Sequence, residues 1–321
     1  MNITVIGCGR WGSLITWYLD HIGHRVTLYG RAASPRMQAF LTTRQNDLLT
    51  LPEPVALSTA LDAALESAET VIISIGSQSL RSLLGQSELQ ALRSRTVVLC
   101  MKGLEMGTGA RLSQIAAELL HPSNTVAVWL GPGHVQEFYR GIPNCMVIDS
   151  ENEDVKRRLV QSFSSDLIRF YYGGDMIGNE VGAAAKNVVG IAAGFLDGFE
   201  MSSLKGALMS RGTREVARLI KAMGGSELSA YGLCHLGDYE ATVFSPYSHN
   251  RQFGESFVRG QDYHQLAEGY YTVKALMLLG QRYGVELPIC KAVHDILYEQ
   301  AVPRDVLAGL LRRGLTEEFY D

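Results

Sequence analysis

Residues 2–30 read NITVIGCGRWGSLITWYLDHIGHRVTLYG, and this stretch decides the fold. Asn2 to Ile6 is a short apolar run, and Gly7-Cys8-Gly9-Arg10-Trp11-Gly12 follows at once. A helical pattern continues through Leu14, Ile15, Tyr18 and Leu19 to Gly23, and a second strand pattern runs from Arg25 to Tyr29. G-x-G-x-x-G between a strand and a helix is the dinucleotide-binding fingerprint in the context it requires. The first glycine permits the tight turn, the second lets the backbone approach a pyrophosphate, and the third packs helix against strand. Free N–H groups at the helix N-terminus then favour phosphate. Gly7, Gly9, Arg10, Trp11 and Gly12 are candidate cofactor contacts.

The end of the second strand normally selects between the two nicotinamide dinucleotides. A carboxylate there holds the ribose 2′-hydroxyl of NAD, whereas an arginine suits the 2′-phosphate of NADP. Here Tyr29-Gly30-Arg31-Ala32-Ala33-Ser34-Pro35-Arg36 carries two arginines and no acid. This favours NADP(H), with NAD(H) still possible, and makes Arg31 the candidate 2′-phosphate partner.

Further strand-like runs are Thr70–Ile75, Thr96–Met101, Thr125–Leu130, Cys145–Ile148 and Leu167–Tyr172. Helical stretches such as Arg81–Leu92, Ala110–Leu120 and Asp154–Phe163 lie between them. Alternation of this kind predicts an α/β fold with a doubly wound, mostly parallel sheet of Rossmann type. After Tyr172 the strands stop, and from Gly178 onward the pattern is helical, broken near Gly224-Gly225, Gly237 and the Ser245–Asn250 loop. The expected organisation is a dinucleotide-binding domain over residues 1–174 and an all-helical catalytic domain over 175–321.

A chain of 321 residues accommodates about two domains. With 46% hydrophobic and 19% charged residues it is an ordinary globular composition. Its net charge of −4 gives no electrostatic footprint for nucleic acid. The five scattered cysteines lack CxxC pairing, which suits free thiols in a reducing compartment. The eight histidines show no ligand spacing, so no metal is expected. A strand beginning at residue 2 leaves no room for a signal peptide, and no apolar run approaches the ~20 residues of a membrane span. A cytoplasmic protein without a membrane span is expected.

The second half holds its own signal. Gly178, Gly182, Lys186, Gly190 and Gly194 recur at four-residue spacing in the otherwise apolar GNEVGAAAKNVVGIAAGFLDG. Residues four apart share one helix face, and each interior glycine costs roughly 1 kcal/mol against alanine, so something must approach that face closely. One reading is tight helix packing, with the lysine reaching solvent. The other is a lysine in a dry pocket, pressed by substrate and cofactor ring, its pKa brought toward the range useful for acid–base chemistry.

Taken in order, these blocks resemble the bacterial soluble NAD(P)-dependent glycerol-3-phosphate dehydrogenases. GCGRWG is similar to the family's nucleotide loop, and Lys102-Gly103-Leu104-Glu105 to its T-K-G-L-E strand end. Gly131-Pro132-Gly133 with Glu137 falls where the family has G-P-[ST]-F-A-x-E, and GAAAKNVVGIAAGFLDG with LMSRGTREVARL resembles its helix pair. Leu236-Gly237-Asp238 matches G-L-G-D, Ser248-His249-Asn250-Arg251 matches S-R-N-R, and Ala267-Glu268-Gly269 matches V-E-G. The resemblance implies hydride transfer between the nicotinamide and C2 of dihydroxyacetone phosphate, giving sn-glycerol 3-phosphate for glycerophospholipid synthesis. It implies Lys186 as catalytic lysine, with Lys102 and Asp238 beside it. The substrate set is then Lys102, Gly131, Gly133, Lys186, Asn187, Asp238, Ser248, His249, Asn250 and Arg251, with Asn187 donating an amide. Lys102, Val135, His249, Leu266 and Glu268 join the glycine loop on the cofactor side. A homodimer is expected, with a small phosphorylated ketone or alcohol as substrate.

The departures fall on the substrate side. His249 replaces the arginine of S-R-N-R, and an imidazole is neither bidentate nor permanently charged; Arg251, two residues on, is positioned in sequence to compensate. Gly133 and His134 replace the family's hydroxyl residue and phenylalanine, and Ser74-Ile75-Gly76-Ser77 lacks its proline. A ketopantoate or β-hydroxyacid reductase of the same architecture is the alternative activity, and an NADP-binding regulator without turnover the alternative class.

Overall fold

The computed structural model describes residues 1–312, 314, 317 and 318. The chain divides into two compact units, Met1–Met101 with Leu112–Gly174, and Lys102–Arg111 with Asp175–Asp321. A single break at 174 therefore misplaces one excursion. Residues 102–111 belong to the second unit because Leu104 is fully buried in its core and Arg111 pairs with Glu180 at 2.6 Å.

In the first unit eight strands form one sheet: β1 (Asn2–Ile6), β2 (Arg25–Tyr29), β3 (Ala56–Ser58), β4 (Thr70–Ile73), β5 (Thr96–Leu99), β6 (Thr125–Leu130), β7 (Asn144–Asp149) and β8 (Ile168–Tyr172), in the order β3-β2-β1-β4-β5-β6-β7-β8. All neighbours are parallel except β6 and β7. The central strands TVII and TVVL are buried at every position, as strands covered on both faces must be. The helices are α1 (Arg10–His21), α2 (Pro35–Thr43), α3 (Leu61–Leu65), α4 (Leu80–Leu84), α5 (Ser87–Gln90), α6 (Leu112–Leu119), α7 (Val135–Tyr139) and α8 (Glu153–Phe163). The single helix expected over Arg81–Leu92 is thus two, parted at Gly85-Gln86. The strand expected to Ile75 ends at Ile73, and that expected to Met101 ends at Leu99.

The second unit is helical: α9 (Met176–Gly198), α10 (Lys205–Ala222), α11 (His249–Val258), α12 (Glu268–Tyr283), α13 (Pro288–Tyr298) and α14 (Pro303–Leu311). Asp175 caps α9 by accepting from Gly178 N–H at 3.0 Å. From Gly178 to Leu196 every residue of α9 is buried, so the helix is the axis of the unit. Short turns of 3₁₀ helix (Leu236–Asp238) and π-helix (Glu240–Phe244) follow α10. The expected Ser245–Asn250 loop is shorter than its sequence suggests. Ser248 caps α11 through Arg251 N–H, and His249 and Asn250 already lie in the first turn. Among the described residues no helix is long and apolar enough to cross a membrane.

The glycine row is explained within this unit. A Cβ on Gly178 would lie 2.3 Å from Ser229 Cβ, one on Gly190 2.8 Å from Thr242 Cγ2, and one on Gly194 2.1 Å from the Arg251 carbonyl oxygen. What presses on the glycine face is the protein's own 229–255 segment. The reading in which substrate and cofactor ring press there is corrected to close chain packing, with Lys186 enclosed by it rather than reaching solvent.

Candidate active site

In the first unit the glycine loop has two kinds of glycine. Gly7 has φ +116°, and a Cβ there would come 2.2 Å from Ser74 O; on Gly12 it would come 1.9 Å from Gly7 O. Both are fixed by the fold itself. At Gly9 a Cβ would meet only Arg36 Nη1, at 3.8 Å, so packing leaves that position open. An open cradle at the N-cap of α1, where Gly9 supplies no capping side chain, fits a dinucleotide pyrophosphate approaching the backbone. Arg31 is exposed, and Arg36 stands in the first turn of α2 behind the Ser34 cap. The proximity of Arg36 to Gly9 was not readable from spacing. Trp11 packs against Phe138, with ring centroids 6.0 Å apart, and Val135 is the buried first residue of α7. Gly131 (φ +128°) and Gly133 (φ +134°) are both in the left-handed region, and a Cβ on Gly133 would enter the Phe138 ring. Backbone conformation alone therefore accounts for glycine at these two places.

In the second unit Lys102, Lys186 and Asp238 converge. Asp238 follows Gly237 in the 3₁₀ turn, and its side chain is 1% exposed. Its Oδ2 accepts from Lys102 Nζ and from Lys186 Nζ, each at 2.8 Å. Lys186 also donates to Thr242 Oγ1 at 2.8 Å. Those two bonds use two of the three N–H of its ammonium. Asp238 Oδ1 is buried, and among the described residues no donor reaches it. Burial pushes Lys186 down from 10.5 to about 8; the Lys102 charge adds to that shift, while Asp238 opposes it. The site thus presents an ammonium close to its titration point and an acceptor oxygen left for a hydroxyl.

Three amides brace this cluster. Asn187 Nδ2 donates to the Lys102 carbonyl at 2.9 Å, and Asn250 Nδ2 donates to Asn187 Oδ1 at 3.1 Å. Asn250 Oδ1 in turn accepts from Gly269 N–H at 2.9 Å. Asn187 and Asn250, read from sequence as substrate contacts, hold the backbone around Lys102 and α12. Glu268 is the first residue of α12, and Leu266 just before it is exposed.

Arg251 is engaged by acidic side chains of its own unit. Its guanidinium donates to Asp197 Oδ2 at 2.8 Å, to Glu255 Oε2 at 3.0 Å and to the Ser245 carbonyl at 3.1 Å. Nη1 meets both carboxylates and Nε the carbonyl. His249 instead meets the Tyr263 hydroxyl through Nδ1 at 2.6 Å. Sequence reasoning passed over Thr242, His235 and Tyr239, since nothing in the local pattern around them marks polar side chains for burial. His235 is fully buried, with Nδ1 2.9 Å from the Gly182 carbonyl oxygen and Nε2 2.7 Å from the Tyr239 hydroxyl.

A dinucleotide fingerprint on a doubly wound sheet and a buried lysine–aspartate–lysine cluster in a helical unit define a nicotinamide-dependent dehydrogenase of the Rossmann class. Models of the NAD-dependent glycerol-3-phosphate dehydrogenase N-terminus and C-terminus match residues 2–156 and 175–308. The chain belongs to this family. It is 31% identical to the glycerol-3-phosphate dehydrogenase [NAD(P)+] of Thermoanaerobacter sp. (strain X514), over 100% of this chain and 99% of that one. It is 35% identical to the one of Nitrosomonas europaea, over 98% of each. The solved glycerol-3-phosphate dehydrogenase of Coxiella burnetii superposes with a TM-score of 0.89 at 27% identity, covering 97% of this chain and 99% of that one. The 2-dehydropantoate 2-reductase of Methylococcus capsulatus, at 16% identity and a TM-score of 0.61 over 98% and 99% of the chains, shares the fold alone. The ketopantoate-type alternative is not favoured.

Proposed function

We propose that the protein interconverts dihydroxyacetone phosphate and sn-glycerol 3-phosphate with NAD(P)(H), Lys186 acting as general acid in reduction and general base in oxidation. The observation that carries the acid–base assignment is the sharing of one buried Asp238 oxygen by Lys186 and Lys102. The glycine loop holds the bound cofactor, which supplies or removes the hydride at C2. Lys186 gives its remaining N–H to the substrate oxygen as negative charge develops there, and Lys102 keeps a second positive charge beside it. Asp238 accepts from a substrate hydroxyl through Oδ1 while Oδ2 orients both ammonium groups. Water is kept from Lys186 by the close contacts of the 235–242 segment with α9.

Arg31 and Arg36 support a preference for NADP(H) over NAD(H), and His249 supports recognition of the substrate phosphate. A cytoplasmic homodimer feeding glycerophospholipid synthesis completes the reading. The test is oxidation of NADPH and of NADH, followed by nicotinamide absorbance, with dihydroxyacetone phosphate, dihydroxyacetone and ketopantoate in parallel. Turnover confined to the phosphorylated ketone supports the proposal; turnover with ketopantoate in preference overturns it.

A further inference from the structure

We infer that His235 and Tyr239 are positioning residues, a buried pair that holds both oxygen partners of Lys186 in place. Tyr239 links the two oxygen partners, Asp238 and Thr242. Asp238 precedes Tyr239 directly, and the Tyr239 carbonyl accepts the N–H of Thr242 at 3.1 Å and of Val243 at 2.7 Å, closing the turn that carries Thr242. Wherever the Tyr239 ring is fixed, Asp238 Oδ2 and Thr242 Oγ1 are fixed with it.

The ring is fixed at both ends. Its body packs with Val189 and Ala193 of α9 and with Val243. Its hydroxyl lies 2.7 Å from His235 Nε2 and 3.4 Å from Thr213 Oγ1 of α10. The other ring nitrogen of His235 faces the Gly182 carbonyl, one turn before Lys186 on the same helix. A carbonyl only accepts, so Nδ1 carries the proton, Nε2 accepts, and Tyr239 donates. The histidine is held neutral, pushed down to about 4 mainly by burial, so this tautomer persists across the working pH range. The absence of a side chain at Gly182 lets the imidazole sit there: a Cβ would come 3.0 Å from His235 Cβ.

The inference rests on Lys186 being the proton donor, and the test separates the two ideas. The groups facing the Lys186 ammonium are Asp238, Lys102 and Thr242, with His235 behind the Asp238 turn. Loosening Asp238 and Thr242 removes support from the charged form, so Lys186 must titrate at lower pH. Its titration is followed by NMR in enzyme carrying ¹³C-labelled lysine, which needs no turnover, alongside kcat for ketone reduction against pH. Tyr239→Phe and His235→Leu are expected to move the Lys186 titration and the alkaline limb of kcat acidward by about half a unit or more. They should lower kcat by about ten- to a hundredfold while KM for NADPH stays within about twofold. His235→Asn, which retains an N–H for the Gly182 carbonyl, should lie closer to wild type. A fall in thermal stability with an unmoved Lys186 titration overturns the positioning role and leaves a purely structural pair. A kinetic limb that does not follow the Lys186 titration in wild-type enzyme overturns the proton-donor assignment instead.

Discussion

Replacing Asp238 with asparagine removes one charge and little volume, and its consequence is calculable. Asp238 Oδ2 lies 2.8 Å from Lys186 Nζ. Opposite charges about 4 Å apart interact by about 4 kcal/mol at an effective dielectric near 20, equivalent to about 3 pKa units. Lys186 stands at about 8 because burial and Lys102 pull it down while Asp238 holds it up. Without the carboxylate it should fall to about 5–6. Ketone reduction needs the ammonium, so wild-type reduction is full below about 8 and lost as pH rises through that value. In Asp238→Asn the same limb should lie near 5–6, and the protonated fraction at pH 7 should drop from about nine-tenths to a few per cent. Alcohol oxidation needs the free amine, so its limb, rising near 8 in wild type, should move down by the same amount. Amplitudes in both directions will also fall, because Oδ1 no longer belongs to a carboxylate. The position of the limbs is therefore the datum, obtained from kcat against pH in each direction. Limbs that remain at the wild-type pH would falsify the assignment of Lys186 as the titrating acid.

Three further outcomes are expected. Gly9→Ala should leave the thermal midpoint almost unchanged, since its Cβ meets only Arg36 Nη1 at 3.8 Å, yet weaken NADPH binding by calorimetry at least about tenfold; equal affinity would show that nothing approaches Gly9. Arg31→Asp should lower the ratio of kcat/KM for NADPH over NADH, and an unchanged ratio would make Arg31 a surface cation only. If His249 grips the substrate phosphate, His249→Ala should raise KM for dihydroxyacetone phosphate at fixed pH. His249→Arg should lower it, since a guanidinium clamps phosphate bidentately; a KM unchanged in both variants removes His249 from phosphate binding.

Features with a short-range signature were legible in the sequence. The glycine fingerprint, the apolar central strands and the all-helical second half follow from patterns spanning a few residues. β3 escaped notice because a three-residue edge strand, ALS, is too short to show a periodicity. The split of Arg81–Leu92 lay in Gly85, which ends α4 without interrupting the apolar spacing. Lys186 was found through its glycine neighbours, but what the glycines accommodate was not. Ser229, Thr242 and Arg251 lie far along the chain from the glycines they pack against, and periodicity carries no information about such partners. The same limit hid the commitment of Arg251 to Asp197 and Glu255. In sequence Arg251 is a free cation beside His249; in the folded unit it is already matched to two anions.

The excursion of residues 102–111 bears on how the chain is made and how it can be cut. The segment emerges during synthesis well before α9, yet Leu104 belongs to the hydrophobic core of the second unit. The nascent sheet must mature around an uncommitted internal loop, with an apolar side chain waiting for translation to deliver its core. For the finished protein, the covalent link at Gly174–Asp175 is one of three, the others being Met101–Lys102 and Arg111–Leu112. A protease that severs the chain after Gly174 would leave the fragments threaded together, and a gene truncated there would encode a first unit carrying ten residues of a core it does not possess.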